Sequence, residues 1–207
     1  MKYFSVLIIL LLLISCDNRN PNEPEIEFVV IYEDDFSSDL GWEIQAVFNP
    51  AFGDTAYVNF NGDQMILCAQ GGMQSTSATA TYTFADSLVQ QSLDTDLIFE
   101  FRIVNSIAYE LGDCNIGIHF EDDFVNIGFR NYDLFNYYNS TLRLEYDHEE
   151  NAIRILINGV EKDYIFMEPP GELVFVNAHV WTTDVTGSGY TILKLTRMTI
   201  SKIDEES

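Results

Sequence analysis

Positive charge is scarce in this sequence: 10 Lys and Arg stand against 33 Asp and Glu, a formal net charge of −23 over 207 residues. So acidic a surface repels phosphate backbones and anionic headgroups, which argues against nucleic acid or a bare lipid surface as partner. Histidine and cysteine are equally sparse, with 3 of each. His119, His148 and His179 are scattered without metal-ligand spacing, so each reads as a surface or satisfied strand residue. No nucleophile motif, phosphate-binding glycine loop or internal repeat occurs. Helical periodicity is missing too, and only residues 86–93 read as a short helical turn. What remains is 47% hydrophobic and 14% aromatic residues, enough for one sizeable core and one domain. The acidity reads as a device for solubility or life in salt, with calcium binding as the alternative.

Beyond residue 28 the period is two almost everywhere. Residues 28–33, 42–48, 56–60, 64–69, 76–84, 97–104, 114–120, 124–130, 173–180 and 191–203 read as strands. The clearest alternation places Ala78, Ala80, Tyr82 and Phe84 on one face and Thr79, Thr81 and Thr83 on the other. The organising stretch is TLRLEYDHEENAIRILING, residues 141–159. Folded back around His148, Glu149, Glu150 and Asn151, it opposes Asp147 to Ala152, Tyr146 to Ile153, Glu145 to Arg154, Leu144 to Ile155 and Leu142 to Ile157. That register gathers the apolar residues on one face, as a half-buried antiparallel hairpin requires. About a dozen strands without helices predict an all-β, two-sheet antiparallel sandwich.

The N-terminus carries an address. Met1-Lys2 precedes an apolar run from Tyr3 to Ile14, broken only by Ser5, with the charged start and short hydrophobic core of an export signal. Leu13-Ile14-Ser15-Cys16 resembles the bacterial lipobox, which implies cleavage after residue 15 and lipidation of Cys16; the alternative is a plain secretory signal with an incidental cysteine. Removing a leader that contains only Lys2 leaves 9 Lys and Arg against 33 acids, or −24. Residues 17–27, DNRNPNEPEIE, lack a packable apolar set and read as a tether of roughly 20–30 Å, with the folded domain spanning 28–207. Asp17 after the cysteine is associated with inner-membrane retention in enteric bacteria, but other phyla sort differently. The expectation is a lipid-anchored envelope protein, at the outer membrane or cell surface.

Three landmarks carry a family resemblance: Glu33-Asp34-Asp35-Phe36-Ser37-Ser38 followed by Gly41-Trp42, the strand end Ile155-Leu156-Ile157-Asn158-Gly159, and a final strand over residues 195–203. Together they resemble the concanavalin A-like lectin/glucanase domains, of laminin-G-like jelly-roll type. The resemblance implies a jelly roll and a history of binding or cleaving glycans, without selecting between them. The glucanase branch carries E-x-D-x-x-E along a strand, and Glu145, Asp147 and Glu150 match it by letter. The context departs from that motif: no Trp and Gly precede the acids, His148 intervenes, and Glu149, Glu150 and Asn151 are turn residues. A solvated hairpin tip is therefore the expectation. The resemblance also implies a structural calcium where the first and last strands approach, with Glu33, Asp35 and Asp204 as hard oxygen ligands; the competing reading is a solvated acidic rim.

Cys68 and Cys114 form a disulfide if their strands are neighbours, or else remain buried thiols; both readings stay open. Residues 131–140, NYDLFNYYNS, combine aromatic rings with amides where the alternation lapses. Sugars present apolar C–H faces ringed by hydroxyls, so flat rings beside amides suit them. Tyr137, Tyr138 and Trp181 are the candidate platforms, with Tyr132 and Phe135 as packing anchors. The expected function is a glycan-binding or adhesion module. The alternatives are a laminarinase-type hydrolase or sugar lyase of the same fold, and a structural envelope lipoprotein.

Overall fold

A computed structural model gives the structure of residues 28–203, apart from residues 40, 72–74, 86–94, 110, 135–137, 169–170 and 184–188. The leader, Cys16, the tether, the turn expected at 86–93 and Asp204 lie outside the described residues.

The alternation becomes thirteen strands among the described residues: β1 (Phe28–Asp34), β2 (Trp42–Val47), β3 (Thr55–Phe60), β4 (Met65–Gln70), β5 (Thr76–Thr83), β6 (Leu97–Tyr109), β7 (Asp113–Phe120), β8 (Phe124–Gly128), β9 (Tyr138–Asp147), β10 (Ala152–Ile157), β11 (Val160–Phe166), β12 (Leu173–Thr182) and β13 (Tyr190–Ile203). They build two antiparallel sheets. One has eight strands in the order β11-β10-β9-β6-β13-β4-β3, with β1 also paired to β13; the other has five in the order β2-β5-β12-β7-β8. Strand β13 serves two partners along one edge, β4 against Tyr190 to Leu195 and β1 against Met198 to Ile203.

Inward residues of both sheets form one core. Met65, Leu67, Phe99, Phe101, Leu142, Leu144 and Leu195 from the large sheet face Ala78, Ala80, Ile116, Ile118, Val176 and Val180 from the small one. Phe99 of β6 meets Phe120 of β7 edge-on at 6.4 Å, joining the layers. The small residues on β5 leave room for these rings, because facing layers must fill space without voids.

The organising hairpin folds in the expected register, Asp147 opposite Ala152 through Leu142 opposite Ile157. Arg154 donates to Glu145 at 3.1 Å across its outer face. Asn151 takes φ 48° in the turn, a conformation its short amide tolerates. Each fully buried Leu or Ile on the inner face contributes about 1.5–3 kcal/mol.

The stretch after β1 acts as a latch between sheets. Asp34 accepts from the Phe36 amide at 2.6 Å and from Trp42 Nε1 at 2.7 Å, tying the end of β1 to the start of β2. Phe36 is fully buried at φ 57° and packs 5.7 Å from Trp42. Gly41 sits at φ 83°, where an added Cβ would come within 2.9 Å of the Tyr82 ring, so both backbone and space call for glycine.

Cys68 and Cys114 are free and buried. Met65, Leu67 and Ala69 face the core, so Cys68 points out of the opposite face of the large sheet. Cys114 points inward from the small sheet, its thiol 3.6 Å from the Ile192 carbonyl oxygen. A layer of backbone separates the two sulfurs, which removes the disulfide alternative. Burial raises both thiol pKa values.

Candidate functional site

The alternation that packs the small sheet also composes its outer face. On β5, Ala78 and Ala80 point inward and Ser77, Thr79, Thr81 and Thr83 outward; on β12, Val176, Ala178 and Val180 leave Phe175, Asn177, His179 and Trp181 outward; on β7, Cys114, Ile116 and Ile118 leave Asp113, Asn115, Gly117 and His119.

Pairing aligns these residues in rows. Trp181 lies between Ser77 and Asp113; His179 between Thr79 and Asn115; Asn177 between Thr81 and Gly117; Phe175 between Thr83 and His119. Strand β8 extends three rows with Gly128, Asn126 and Phe124, and β2 adds Gln45 beside Thr79 and Glu43 beside Thr81. None of the five strands contains Lys or Arg. Glu43 and Asp113 supply the carboxylates.

Side-chain contacts order this surface. The His119 ring stacks on Phe175, with centroids 4.1 Å apart and planes at 16°, and on Phe124 at 5.5 Å and 12°. Asn177 Nδ2 lies 3.5 Å from His119 Nε2, and Thr79 Oγ1 lies 2.7 Å from His179 Nδ1. Burial pulls both imidazole pKa values below the ordinary range, so both rings are neutral at pH 7. Gly117 lies buried beneath them, its missing side chain leaving the space they fill: a Cβ there would come within 2.5 Å of Asn177 Oδ1 and 3.0 Å of His119 Nε2. The result is an uncharged floor of amides, hydroxyls and imidazoles, bounded by three stacked rings at one end and Trp181 at the other. Such a surface donates and accepts hydrogen bonds and offers apolar faces.

The expected site residues are divided. Trp181 belongs to this face, whereas Tyr138, 68% exposed, begins β9 in the other sheet, paired with Asn105. Tyr138 therefore does not share a face with Trp181. Tyr137 and Phe135 lie outside the described residues. Tyr132 packs partly against the core and donates to Asp163 at 2.9 Å; burial and that bond push its pKa up to about 12.

The carboxylate triplet stands on the outer side of the large sheet and is engaged in structure. Glu145 pairs with Arg143 at 2.8 Å and Arg154 at 3.1 Å. Asp147 Oδ1 accepts from the Glu150 amide at 2.9 Å, and Glu150 accepts from the Tyr164 hydroxyl. Turn capping and ion pairing account for all three.

The expected calcium ligands fare similarly. Glu33 pairs with Arg197 at 2.9 Å, and Asp35 accepts from the Ser37 amide at 2.9 Å, a bond that lowers its pKa. No group of three or more His, Cys, Asp or Glu able to hold a metal occurs among the described residues. A carboxylate neutralised by arginine does not fit calcium, which needs several free oxygens.

Sequence reasoning passed over His119, His179, Asn115, Asn126, Asn177 and Gly117. Their signal was present: each occupies an outward position of an alternating strand. What the sequence does not show is that β7 and β12, far apart in the chain, lie side by side.

The fold is an all-β jelly-roll sandwich, shared with solved structures that include one of galectin-like fold. A galectin-like protein of unknown function from Bacillus subtilis matches at 8% identity and TM-score 0.52, covering 86% of this chain and 99% of that one. The CBM2 module of the evolved Dit protein of Lactobacillus casei BL23 phage J-1 matches at 11% and 0.52, covering 89% and 100%. A GlcNAcα1-4Gal-releasing endo-β-galactosidase from Clostridium perfringens matches at 10% and 0.50, covering 88% of this chain and 64% of the enzyme. No protein-family model matches the sequence, and no curated protein does. At such identities the likeness shows the fold.

Proposed function

We propose that this protein is an exported, lipid-anchored glycan-binding module whose ligand lies on the outer face of the five-stranded sheet. The observation that carries the reading is the uncharged Asn, Thr and His floor between Trp181 and the Phe124, His119 and Phe175 stack. Rings stack on sugar C–H faces while amides and neutral imidazoles exchange hydrogen bonds with hydroxyls. The CBM2 neighbour shares the fold, which is compatible with this use of a sheet face.

Binding without hydrolysis is favoured by the placement of acids. Glu43 and Asp113 stand three strands and two rows apart, about 20 Å by strand spacing and rise. Glycosidases hold their pair roughly 5–10 Å apart.

A glycan array probed with the full chain, alongside Asn177→Ala and Trp181→Ala, tests the assignment. Each variant is expected to lose binding with little change in Tm, because both residues face outward. Retained binding in both variants refutes the site.

Anchoring rests on the leader and the lipobox-like run before Cys16. The wild-type chain is expected to partition into detergent and Cys16→Ala into the aqueous phase; a variant that still partitions fully with membranes refutes the anchor. The acidic chain then reaches its glycan from the cell envelope, at the outer membrane or cell surface.

A further inference from the structure

Charge on the two outer faces is distributed unevenly. Arg102, Arg143, Arg154, Lys194 and Arg197 all occupy strands of the large sheet. The five strands of the small sheet carry Glu43 and Asp113 outward and contain no Lys or Arg. A carboxylated or sulfated glycan laid on these strands meets neutral groups and two carboxylates of a strongly acidic protein; the guanidinium at their edge, Arg130 just past β8, is turned onto the Gly112 carbonyl oxygen at 2.5 Å, and its amide donates to Asp113 at 3.2 Å.

The floor is also long. Phe175 and Trp181 are six residues apart on β12, about 20 Å by strand rise, the length of roughly four extended pyranose units. Between those aromatic ends lie two rows, His179 with Asn115 and Asn177 with Gly117, uncharged on β5, β12 and β7, with Glu43 at the β2 edge of the second. A single sugar covers only part of that span. Gly117 lies in a row of side chains and has none, so Asn177 and His119 converge over it.

Resting on the glycan-binding reading, we infer that the ligand is an uncharged, linear stretch of oligosaccharide several sugars long. It lies along β12 and β7 between the ring stack and Trp181, over Asn177 and His119, whose convergence depends on the missing side chain of Gly117. Acidic glycans are disfavoured by the carboxylates at Glu43 and Asp113 and by strands that carry no Lys or Arg.

Neutral ladders from mono- to hexasaccharide (β-1,3-glucan, β-1,4-glucan, β-1,4-mannan and α-1,4-glucan) and acidic ladders (galacturonate and mannuronate) are titrated into the full chain at about 0.15 M salt. At least one neutral ladder is expected to gain about a hundredfold in affinity up to the tetrasaccharide and then level off. Acidic oligomers of equal length are expected to bind at least about tenfold more weakly, a gap of about 1.4 kcal/mol. Gly117→Ala is expected to lose about tenfold for the neutral ladder with Tm unchanged, because its Cβ displaces only side-chain ends. Glu43→Lys combined with Gln45→Lys is expected to narrow the acidic deficit. If acidic oligomers bind as tightly as neutral ones, if the monosaccharide matches the tetrasaccharide, or if Gly117→Ala binds normally, the ligand assignment is overturned while glycan binding stands. If no ladder binds, glycan binding itself fails and the assignment falls with it.

Discussion

Removing the Asp34 carboxylate opens the latch between the two sheets. In the wild type it receives the Phe36 amide at 2.6 Å and Trp42 Nε1 at 2.7 Å, with the Tyr32 hydroxyl farther away at 3.3 Å. A hydrogen bond to a charged group contributes about 1.5–3 kcal/mol. Because the site is only partly buried, the lower bound applies to each short bond, and Asp34→Ala is expected to cost about 3 kcal/mol. For a domain of this size that lowers Tm by about 6–12 °C. A double-mutant cycle with Trp42→Phe isolates the indole bond, with an expected coupling of about 1.5 kcal/mol. Urea unfolding followed by far-UV circular dichroism measures each corner, since the cycle removes one tryptophan reporter. A coupling below about 0.5 kcal/mol, the scatter of independent sites, refutes the latch.

In the organising hairpin, Leu144→Ala is expected to cost about 2–5 kcal/mol, because its side chain is fully buried. Arg154→Ala, removing exposed ion pairs on the opposite face, is expected to cost less than about 1 kcal/mol; equal losses in urea titrations contradict the assigned faces. Folding depresses the His119 and His179 pKa values through burial, so below about pH 6.5 the unfolded chain binds protons that the folded chain refuses. Their stabilisation is therefore complete above that pH and declines as pH falls through the window between the unfolded and folded values. His119→Gln and His179→Gln together should flatten that slope in Tm measured against pH, and an unchanged slope counts against the burial. Cys68 and Cys114 are expected to resist a thiol reagent in the native protein and to label fully after unreduced denaturation; missing labels there show a bridge.

Much of the architecture follows from local pattern. The register of residues 141–159 is forced because a slip of one residue turns Leu142, Leu144, Ile153 and Ile155 out into water. The Asn61-Gly62-Asp63 turn that joins β3 to β4, with Gly62 at φ 74°, and the outward threonines of β5 are equally local, since turn chemistry and period two act within a few residues. Strand β11 escaped this reading because it is an edge strand, exposed or half-buried at every position, and burial is what imprints alternation on a sequence. The candidate site is of the other kind. Alternation alone marks Thr79, Asn115, Asn177 and His179 as polar members of strands, each indistinguishable from an ordinary solvated residue, with Gly117 among them at an outward position. They become one surface only because β12 pairs with both β5 and β7, placing Thr79 2.7 Å from His179 across 100 residues of chain. Backbone hydrogen bonding, which carries no side-chain code, makes that pairing, and the packing of both sheets on a shared core selects it from the many strand orders that the same alternation allows.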